Sequence, residues 1–228
     1  MNEVEIEKLR GGLIVSCQAP AGSPLNDPQV IAALALAAEQ NGAVAVRINS
    51  AEHVAATNAR VSVPIIGIEK VVSAESEVYI TPTLDVASRL VRCGASIVAM
   101  DATGRRRPNG ERLEDLIRQV QEELRRPVMA DVATLDEGLY AADCGAKIVA
   151  TTLCGYTAES RGAQLPAFDL LEKLATRLEV PVICEGGVSS PEQVRRAFDC
   201  GAFAVVVGTA ITGVGQLVQK FVAASRRN

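Results

Sequence analysis

The 228-residue sequence contains no tryptophan and a single histidine, and its aromatic residues amount to only 3%. Proteins that bind single-stranded nucleic acid commonly stack bases on aromatic side chains, so that class is not expected. A single histidine excludes a histidine-rich metal site and argues against a histidine-based catalytic triad. Basic residues are also scarce: 23 Lys and Arg against 27 Asp and Glu give a net charge of −4. General nucleic-acid binding, which needs a basic surface, is therefore not expected.

Long apolar runs and paired cysteine motifs are missing as well. No apolar stretch reaches the roughly 18 residues that a membrane-spanning helix needs. The N-terminal segment MNEVEIEKLRGG lacks the basic start and apolar core of a secretory signal. The six cysteines contain no C-x-x-C pair. We therefore expect reduced thiols in a cytoplasmic protein with no membrane or nucleic-acid partner.

A repeated unit organises the chain. Glycine-alanine pairs recur about every 50–56 residues, and each follows a stretch with helical spacing and precedes a short apolar run. A glycine in this position is typical of the left-handed residue that ends a helix. The apolar run after it predicts a buried strand. The glycines are Gly42, Gly94, Gly145 and Gly201.

Four further apolar runs lie between these units, at residues 12–17, 64–69, 127–131 and 181–185. Eight buried strands alternating with helices predict a parallel sheet covered on both faces. We therefore expect residues 1–228 to form a single (β/α)8 barrel domain of the phosphate-binding type. The alternative is an open doubly wound sheet, but no G-x-G-x-x-G follows the first strand. The predicted helices include Pro28–Asn41, Leu84–Cys93, Leu113–Arg125, Leu135–Cys144, Phe168–Leu178 and Pro191–Cys200.

Polar residues follow almost every predicted strand, at the barrel rim where chemistry takes place. Lys70 follows an apolar strand, and burial there would lower its pKa and make it a base or a Schiff-base nucleophile. The alternative is an ordinary surface lysine. Glu185 is expected to pair with Lys70 or Arg47 and so to orient the lysine. The other residues that end strands include Gln18, Asn49, Asp101, Asp131, Thr151 and Thr152.

Glycines also follow the seventh and eighth strands, where barrels of this type often bind phosphate through backbone N–H groups. Gly186 and Gly187 allow the backbone to approach an oxyanion closely, and Gly208 with Thr209 adds an N–H and a hydroxyl. We therefore expect a phosphate site formed by these two loops.

Two other features have competing interpretations. Asp101, like Asp131, would bind a sugar hydroxyl or neutralise Arg47, or else form a structural salt-bridge network with the cluster Arg105, Arg106 and Arg107. His53 is interpreted as an ordinary residue of a helix.

The motifs DATGRRRPNGE at 101–111, ADVATLDEG at 130–138 and ICEGGVSSPEQVRRA at 183–197 resemble the N-acylglucosamine-6-phosphate 2-epimerase family. This resemblance covers essentially the whole chain. It implies an isomerase of amino-sugar and sialic-acid catabolism that interconverts N-acetylmannosamine 6-phosphate and N-acetylglucosamine 6-phosphate without metal or cofactor.

The resemblance also implies roles for individual residues. Lys70 would be the acid/base that handles the C2 proton, and Glu185 would assist it. Gln18, Arg47 and Asp131 would hold the opened sugar, while the turns at Gly187 and at Gly208–Thr209 would hold the phosphate.

The chain departs from the family pattern at two positions. Gly213 stands where the family usually has an arginine that contacts the ligand, and Glu69 precedes Lys70 where an apolar residue is more usual. Alternative functions are a Schiff-base aldolase acting on a phosphosugar and a non-catalytic phosphosugar-binding barrel. The sequence leaves open whether one or two bases act, and which hexosamine phosphate is preferred. A homodimer that pairs through alanine-rich helices is expected.

Overall fold

Eight short strands pair in chain order, each parallel to the next, and the last pairs with the first to close a barrel. The computed structural model describes residues 2–225. The strands are β1 (Leu13–Cys17), β2 (Ala45–Asn49), β3 (Ile65–Ile68), β4 (Ile97–Asp101), β5 (Val128–Asp131), β6 (Ile148–Ala150), β7 (Val182–Cys184) and β8 (Ala204–Val207). The prediction of a (β/α)8 barrel is confirmed.

Among the described residues, seven α-helices lie between the strands, one precedes β1 and two follow β8. They are α1 (Asn2–Glu7), α2 (Pro28–Gln40), α3 (Ala51–Asn58), α4 (Leu84–Arg92), α5 (Leu113–Glu122), α6 (Leu135–Asp143), α7 (Phe168–Arg177), α8 (Pro191–Asp199), α9 (Thr209–Thr212) and α10 (Val214–Ser225). Side-chain caps begin several of them: Asp27 accepts from two backbone N–H groups of α2, and Thr134 forms a capping box with Glu137. Within residues 2–225, no helix is both long and apolar enough to cross a membrane.

The predicted boundaries agree with the structure to within a few residues. All six predicted helices are present, and each ends one to three residues before the predicted end. The glycines of the repeat have positive φ angles of 92°, 108°, 96° and 90° at Gly42, Gly94, Gly145 and Gly201. This conformation is disfavoured for residues with a Cβ, so glycine ends each helix and turns the chain into the next strand.

Alternation along the strands sorts the core into an inner and an outer layer. On β4, Ile97 and Ala99 belong to the cluster inside the barrel, whereas Val98 and Met100 pack with the surrounding helices. Since the side-chain period of a strand is two residues, Asp101 continues the inner row. Its register partner Asp131 does the same on β5. The inner rows therefore change from apolar to charged at the C-terminal end of the barrel.

The first and last helices of the described chain differ in burial. Ile6 and Leu9, in and just after α1, are buried with the inner cluster. Helix α10 has no buried residue, although Val214, Val218, Phe221 and Val222 form an apolar stripe along it. An apolar stripe at this spacing is typical of a helix face that packs against another surface.

Candidate active site

Lys70 is positioned by a hairpin-like loop that follows β3. Lys70 forms an antiparallel bridge with Ile80, and the N–H of Val71 donates to the carbonyl of Tyr79 at 2.8 Å. The backbone N–H of Lys70 also donates to Oδ1 of Asn49 at the end of β2, at 3.0 Å. These contacts hold Lys70 at the mouth of the barrel.

The Lys70 ammonium group is oriented by Gln18. Lys70 Nζ donates to Gln18 Oε1 at 2.8 Å, and Gln18 Nε2 donates to Ser16 Oγ at 2.8 Å. Solvent reaches the Lys70 side chain through the open mouth. Partial burial and then the nearby Arg47 cation lower the pKa of Lys70, while Glu185 and Asp131 oppose that shift. The lysine is therefore closer to the neutral form than a free lysine.

Arg47 forms the floor of the site together with Asp131. Arg47 Nη2 lies 2.5 Å from Asp131 Oδ2 and Arg47 Nη1 lies 3.1 Å from Asp131 Oδ1, so the pair is bidentate. Their side chains are 1% and 0% exposed. In this structure each is the other's partner beneath the mouth, and the expectation that both hold the sugar stays a prediction.

Glu185 completes this cluster as the second acceptor of Arg47, with Glu185 Oε2 2.9 Å from Arg47 Nη1. Of the two expected partners, the ion pair is therefore with Arg47. Burial raises the pKa of Glu185 to about 7, and Asp131 adds to the shift. Arg47, Thr152 and Lys70 oppose it. A carboxyl group that titrates near neutral pH can both accept and donate a proton at physiological pH.

Two adjacent threonines after β6, expected from the sequence only as residues that end a strand, belong to the site. The Thr151 hydroxyl accepts from the Glu185 N–H at 3.0 Å and donates to the Glu185 carbonyl at 2.8 Å. The Thr152 hydroxyl donates to Asp131 Oδ1 at 2.7 Å. Because Ala150 belongs to the inner cluster, alternation along β6 places Thr152 on the same side.

Asp101 pairs with Arg105 rather than with Arg47. Asp101 Oδ2 accepts from Arg105 Nη2 at 2.6 Å, and Asp101 Oδ1 accepts from the Thr103 hydroxyl at 2.7 Å. Arg107 is buried and donates to the carbonyls of Asp101 and Pro82. Of the three interpretations from the sequence, this arrangement matches the structural network in part, because Arg105 forms the ion pair with Asp101 and Arg107 binds main-chain carbonyls.

The glycines after β7 and β8 are constrained by their surroundings. Gly186 and Gly187 have φ angles of 109° and 74°, and a Cβ on Gly187 would lie 2.6 Å from the Cβ of Leu165. Gly208 precedes α9, and a Cβ there would lie 3.3 Å from that of Ser16. Both turns are therefore built for glycine. Phosphate binding at Gly186, Gly187, Gly208 and Thr209 stays a prediction.

The two departures from the family pattern have local explanations. Glu69 points away from the cluster, because its Oε1 accepts from Arg89 of α4 at 2.9 Å. At Gly213 a Cβ would lie 2.6 Å from the carbonyl oxygen of Thr209, so any side chain there, arginine included, would require this turn to shift. His53 lies in α3 and is 7% exposed, as expected for an ordinary helix residue.

Comparison with known proteins gives consistent matches over almost the whole chain. The sequence profile of the N-acetylmannosamine-6-phosphate epimerase family matches residues 31–227. A protein of Synechococcus elongatus named N-acetylmannosamine-6-phosphate 2-epimerase is 51% identical over 222 residues, which are 96% of each chain. A protein of the same name from Cutibacterium acnes is 46% identical over 209 residues, covering 91% of this chain and 90% of that one.

The solved structures agree. The N-acetylmannosamine-6-phosphate 2-epimerase of Clostridium perfringens superposes with a TM-score of 0.92 and 39% identity, covering 96% of this chain and 95% of that one. Thiamine phosphate pyrophosphorylase of Pyrococcus furiosus superposes with a TM-score of 0.61 at 15% identity, covering 94% of this chain and 98% of that one. The latter likeness shows the fold alone.

Proposed function

The chain belongs to the N-acetylmannosamine-6-phosphate epimerase family, and from that premise we propose that it interconverts N-acetylmannosamine 6-phosphate and N-acetylglucosamine 6-phosphate, with Lys70 and Glu185 as its two acid/base groups. The two sugars differ only in configuration at C2. One proton must therefore leave C2 and another must arrive on the opposite face.

The chemistry begins from the opened sugar. With C1 free as an aldehyde, removal of the C2 proton leaves an electron pair that delocalises onto O1 as an enolate. One group of the pair accepts the proton from C2, and the other then donates its own proton to the opposite face of C2. The electron pair returns from O1 to form the new C–H bond, so atoms and charge balance without an oxidant or reductant.

The observation that carries this proposal is the placement of the two groups on opposite sides of the barrel. In the ring of eight strands, β3 and β7 are four positions apart, and Lys70 and Glu185 follow these two strands. Each group also has its own partner: Lys70 donates to Gln18, whereas Glu185 accepts from Arg47. A sugar between them would present one face of C2 to each group, which supports two bases rather than one.

Neighbouring residues would orient Lys70 and control the charge of Glu185. Gln18 holds the Lys70 ammonium group, and the buried Arg47 guanidinium stabilises the ionised form of Glu185 from below, while the neighbouring Asp131 opposes it. Because hydrogen bonds already hold these charged groups in place, they can stabilise charge that develops on the substrate without moving during the reaction. We therefore assign Arg47 and Asp131 to Glu185 rather than to direct contacts with the sugar.

The phosphate would bind in the loops after β7 and β8. Gly186 and Gly187 have positive φ angles, Gly208 precedes the first turn of α9, and the backbone N–H groups of these turns together with the Thr209 hydroxyl would be the donors. Because Gly213 replaces the family arginine, backbone N–H groups would provide most of the binding there.

We also propose a homodimer in the cytoplasm. Val214, Val218, Phe221 and Val222 leave one face of α10 apolar and exposed, and a second copy of the same helix offers a matching apolar face. This places the contact on α10 rather than on the alanine-rich helices expected from the sequence. All six cysteines are free thiols, which supports a reducing compartment.

An NMR time course with N-acetylmannosamine 6-phosphate in D2O tests the proposal. We expect the C2-epimeric product to form and to carry solvent deuterium at C2 from the first turnovers. Product that retains the original C2 proton would show a single base. Borohydride trapping of a covalent adduct on Lys70 would instead show the aldolase.

A further inference from the structure

Thr81 has an unusual backbone conformation for its residue type. It lies in the loop between β3 and α4, is fully buried and has a φ angle of 46°. This left-handed region is uncommon for residues with a Cβ and is disfavoured most for β-branched ones such as threonine. Glycine adopts it without this cost. A threonine held in this conformation indicates that its side chain makes a contact on which the surrounding structure depends.

That contact is with Glu69, the residue before Lys70. The Glu69 N–H donates to Thr81 Oγ1 at 3.2 Å, and the Thr81 N–H donates to the Glu69 carbonyl at 2.8 Å. Thr81 therefore binds both backbone groups of one residue, one through its side chain and one through its main chain.

These contacts fix the peptide group that joins Glu69 to Lys70. Its carbonyl oxygen accepts from the Thr81 N–H at 2.8 Å, and its N–H donates to Asn49 Oδ1 at 3.0 Å. The peptide group before it is held by the Thr81 hydroxyl at the Glu69 N–H. Because the backbone at positions 69 and 70 sets the direction of the Lys70 Cα–Cβ bond, Thr81 controls where that side chain starts.

Thr81 is itself anchored on the side away from Lys70. The carbonyl of Ile80, the residue before it, accepts from the Asp101 N–H at 2.9 Å. The carbonyl of Pro82, the residue after it, accepts from the buried guanidinium of Arg107 at 3.2 Å. The segment 80–82 is therefore tied to the end of β4 and to the loop that follows it, and it can serve as a fixed support.

We propose that Thr81 is a positioning residue, whose hydroxyl fixes the backbone at Glu69 and thereby places the Lys70 amine at the mouth of the barrel. The inference rests on the proposed role of Lys70 as an acid/base group. From this backbone position Lys70 Nζ reaches Gln18 Oε1 at 2.8 Å. The four-carbon side chain of lysine is flexible, so a fixed backbone is needed to keep the amine in one place.

The position of Lys70 also sets the charge of its amine. The charged groups that face it come from three other strands: Arg47 on β2, Asp131 on β5 and Glu185 after β7. Partial burial and Arg47 lower the pKa of Lys70, whereas the two carboxylates raise it. A displaced amine would be more solvated, so its pKa would return towards the ordinary value of 10.5.

Three substitutions separate the hydroxyl of Thr81 from its shape and its backbone conformation. Thr81→Val keeps the β-branched shape and removes the hydroxyl, and Thr81→Ser keeps the hydroxyl. Thr81→Gly removes the hydroxyl but adopts the positive φ without strain, and it replaces Thr81→Val should that variant not fold. The matched control is Thr57→Val, because Thr57 of α3 is also fully buried and its hydroxyl has no hydrogen-bond partner among the described residues.

The first test compares kcat with KM for N-acetylmannosamine 6-phosphate. We expect Thr81→Val and Thr81→Gly to lower kcat roughly 10- to 100-fold, the effect of a reacting group misplaced by about 1 Å, with KM nearly unchanged. Thr81→Ser and Thr57→Val should stay close to the wild type. Wild-type kcat in Thr81→Gly, or an equal loss in Thr81→Ser, would overturn the proposal.

The second test needs no turnover. Trace acetylation with acetic anhydride over a range of pH, read by peptide mass spectrometry, gives the titration midpoint of Lys70 beside those of the exposed Lys147 and Lys173. We expect Thr81→Val or Thr81→Gly to raise the Lys70 midpoint by about 0.5–1 pH unit as the amine becomes more solvated, and to leave the two reference lysines unmoved. A loss of kcat with an unmoved Lys70 midpoint would mean that Thr81 acts on the fold in general, and the positioning role would be wrong.

Because acetylation does not involve the sugar phosphate, the two proposals can fail separately. A raised Lys70 midpoint in a protein whose wild type shows no epimerisation supports the positioning of Lys70 and rejects its role in epimerisation. Epimerisation by the wild type, with an unmoved Lys70 midpoint in the variants without the hydroxyl, supports the epimerase and rejects the role of Thr81.

Discussion

Arg47 Nη1 lies 2.9 Å from Glu185 Oε2, although the two residues are 138 positions apart in the sequence. The same guanidinium group is bound on its other side by Asp131. Glu185 is therefore a buried carboxylate whose ionised form depends on one cation shared with a second carboxylate. Its intermediate proton affinity, and hence its ability to act as a base and as an acid, follows from this arrangement.

The pH dependence of activity should reflect the Lys70–Glu185 pair. The reaction needs one proton on the Lys70–Glu185 pair, so that one group can accept a proton while the other donates one. Activity should fall when the pair carries two protons or none, and kcat/KM plotted against pH should therefore be bell-shaped. The acidic limb should lie near pH 7, because burial raises the pKa of Glu185 to about 7. The alkaline limb should lie below the ordinary lysine value of 10.5, because burial and Arg47 lower the pKa of Lys70.

The phosphate of the substrate titrates near pH 6 and complicates the acidic limb. Measuring kcat at saturating substrate as well separates the two, because kcat reports only the enzyme–substrate complex. An acidic limb near 4.5, the ordinary value for glutamate, would show that Glu185 is not the group that titrates.

Replacing Glu185 by Gln should stabilise the protein at alkaline pH. Folding raises the pKa of Glu185 from 4.5 to about 7, so stability is lost as the pH rises through this interval. The variant avoids this loss and should gain about 3 kcal/mol at pH 8, with little difference at pH 4.5. Urea unfolding at both pH values measures the gain, with the exposed Glu192→Gln as control. Lower stability of Glu185→Gln at pH 8 would contradict the assignment of burial as the dominant effect.

The glycines on either side of Val214 should respond oppositely to alanine. A Cβ at Gly213 would lie 2.6 Å from the Thr209 carbonyl oxygen, whereas a Cβ at Gly215 would have nothing within 4 Å. We expect Gly213→Ala to lower the free energy of unfolding by about 1–3 kcal/mol, as overpacking commonly does. Gly215→Ala should raise it by about 0.5–1 kcal/mol, because Gly215 lies in α10.

Thermal or urea unfolding of the two variants checks this difference. Equal effects would mean that the turn before α10 is adaptable. In that case an arginine at position 213 would be compatible with this chain, and the steric explanation of its absence would be wrong.

The apolar face of α10 should mediate dimer formation. Phe221 is 75% exposed and has the largest side chain of the stripe, so Phe221→Asp should place a charge in the contact and dissociate it. Light scattering should give twice the 24.0 kDa chain mass for the wild type and a single chain mass for the variant.

Val72 is a suitable control because it is 91% exposed and far from α10 in sequence. Val72→Asp should leave the dimer intact. A wild-type protein that has the mass of one chain at micromolar concentration would rule out the proposed contact.

The fold could be predicted from the sequence because its signals are local. Each glycine that ends a helix and each short apolar run can be recognised within about ten residues, and their alternation predicts the barrel. The sequence named Glu185, Asp131 and Asp101 as possible partners of Arg47 but could not choose among them. Asp101 and Asp131 are register partners at the ends of β4 and β5, so the strands alone do not distinguish them. Asp101 does not pair with Arg47 because Thr103 and Arg105, in the loop after β4, bind its carboxylate.

The contributions of Thr152 and α10 were also missed, for different reasons. Thr152 was recognised among the residues that end strands, but nothing near it in the sequence connects it with Asp131. The stripe on α10 is visible in the sequence as an amphipathic pattern, but periodicity cannot tell whether its partner is the barrel or another molecule.

Exchange of the C2 proton in two single variants tests the central claim most directly. Lys70→Ala and Glu185→Gln are each incubated in D2O with N-acetylmannosamine 6-phosphate and, separately, with N-acetylglucosamine 6-phosphate, and the C2 proton is followed by NMR. Both variants should lose epimerisation. Each should still exchange the C2 proton of one epimer, and the retained epimer should differ between the two variants, because each remaining base faces one side of C2. Retention of the same epimer by both variants, or wild-type exchange of both epimers by Lys70→Ala, would contradict the account.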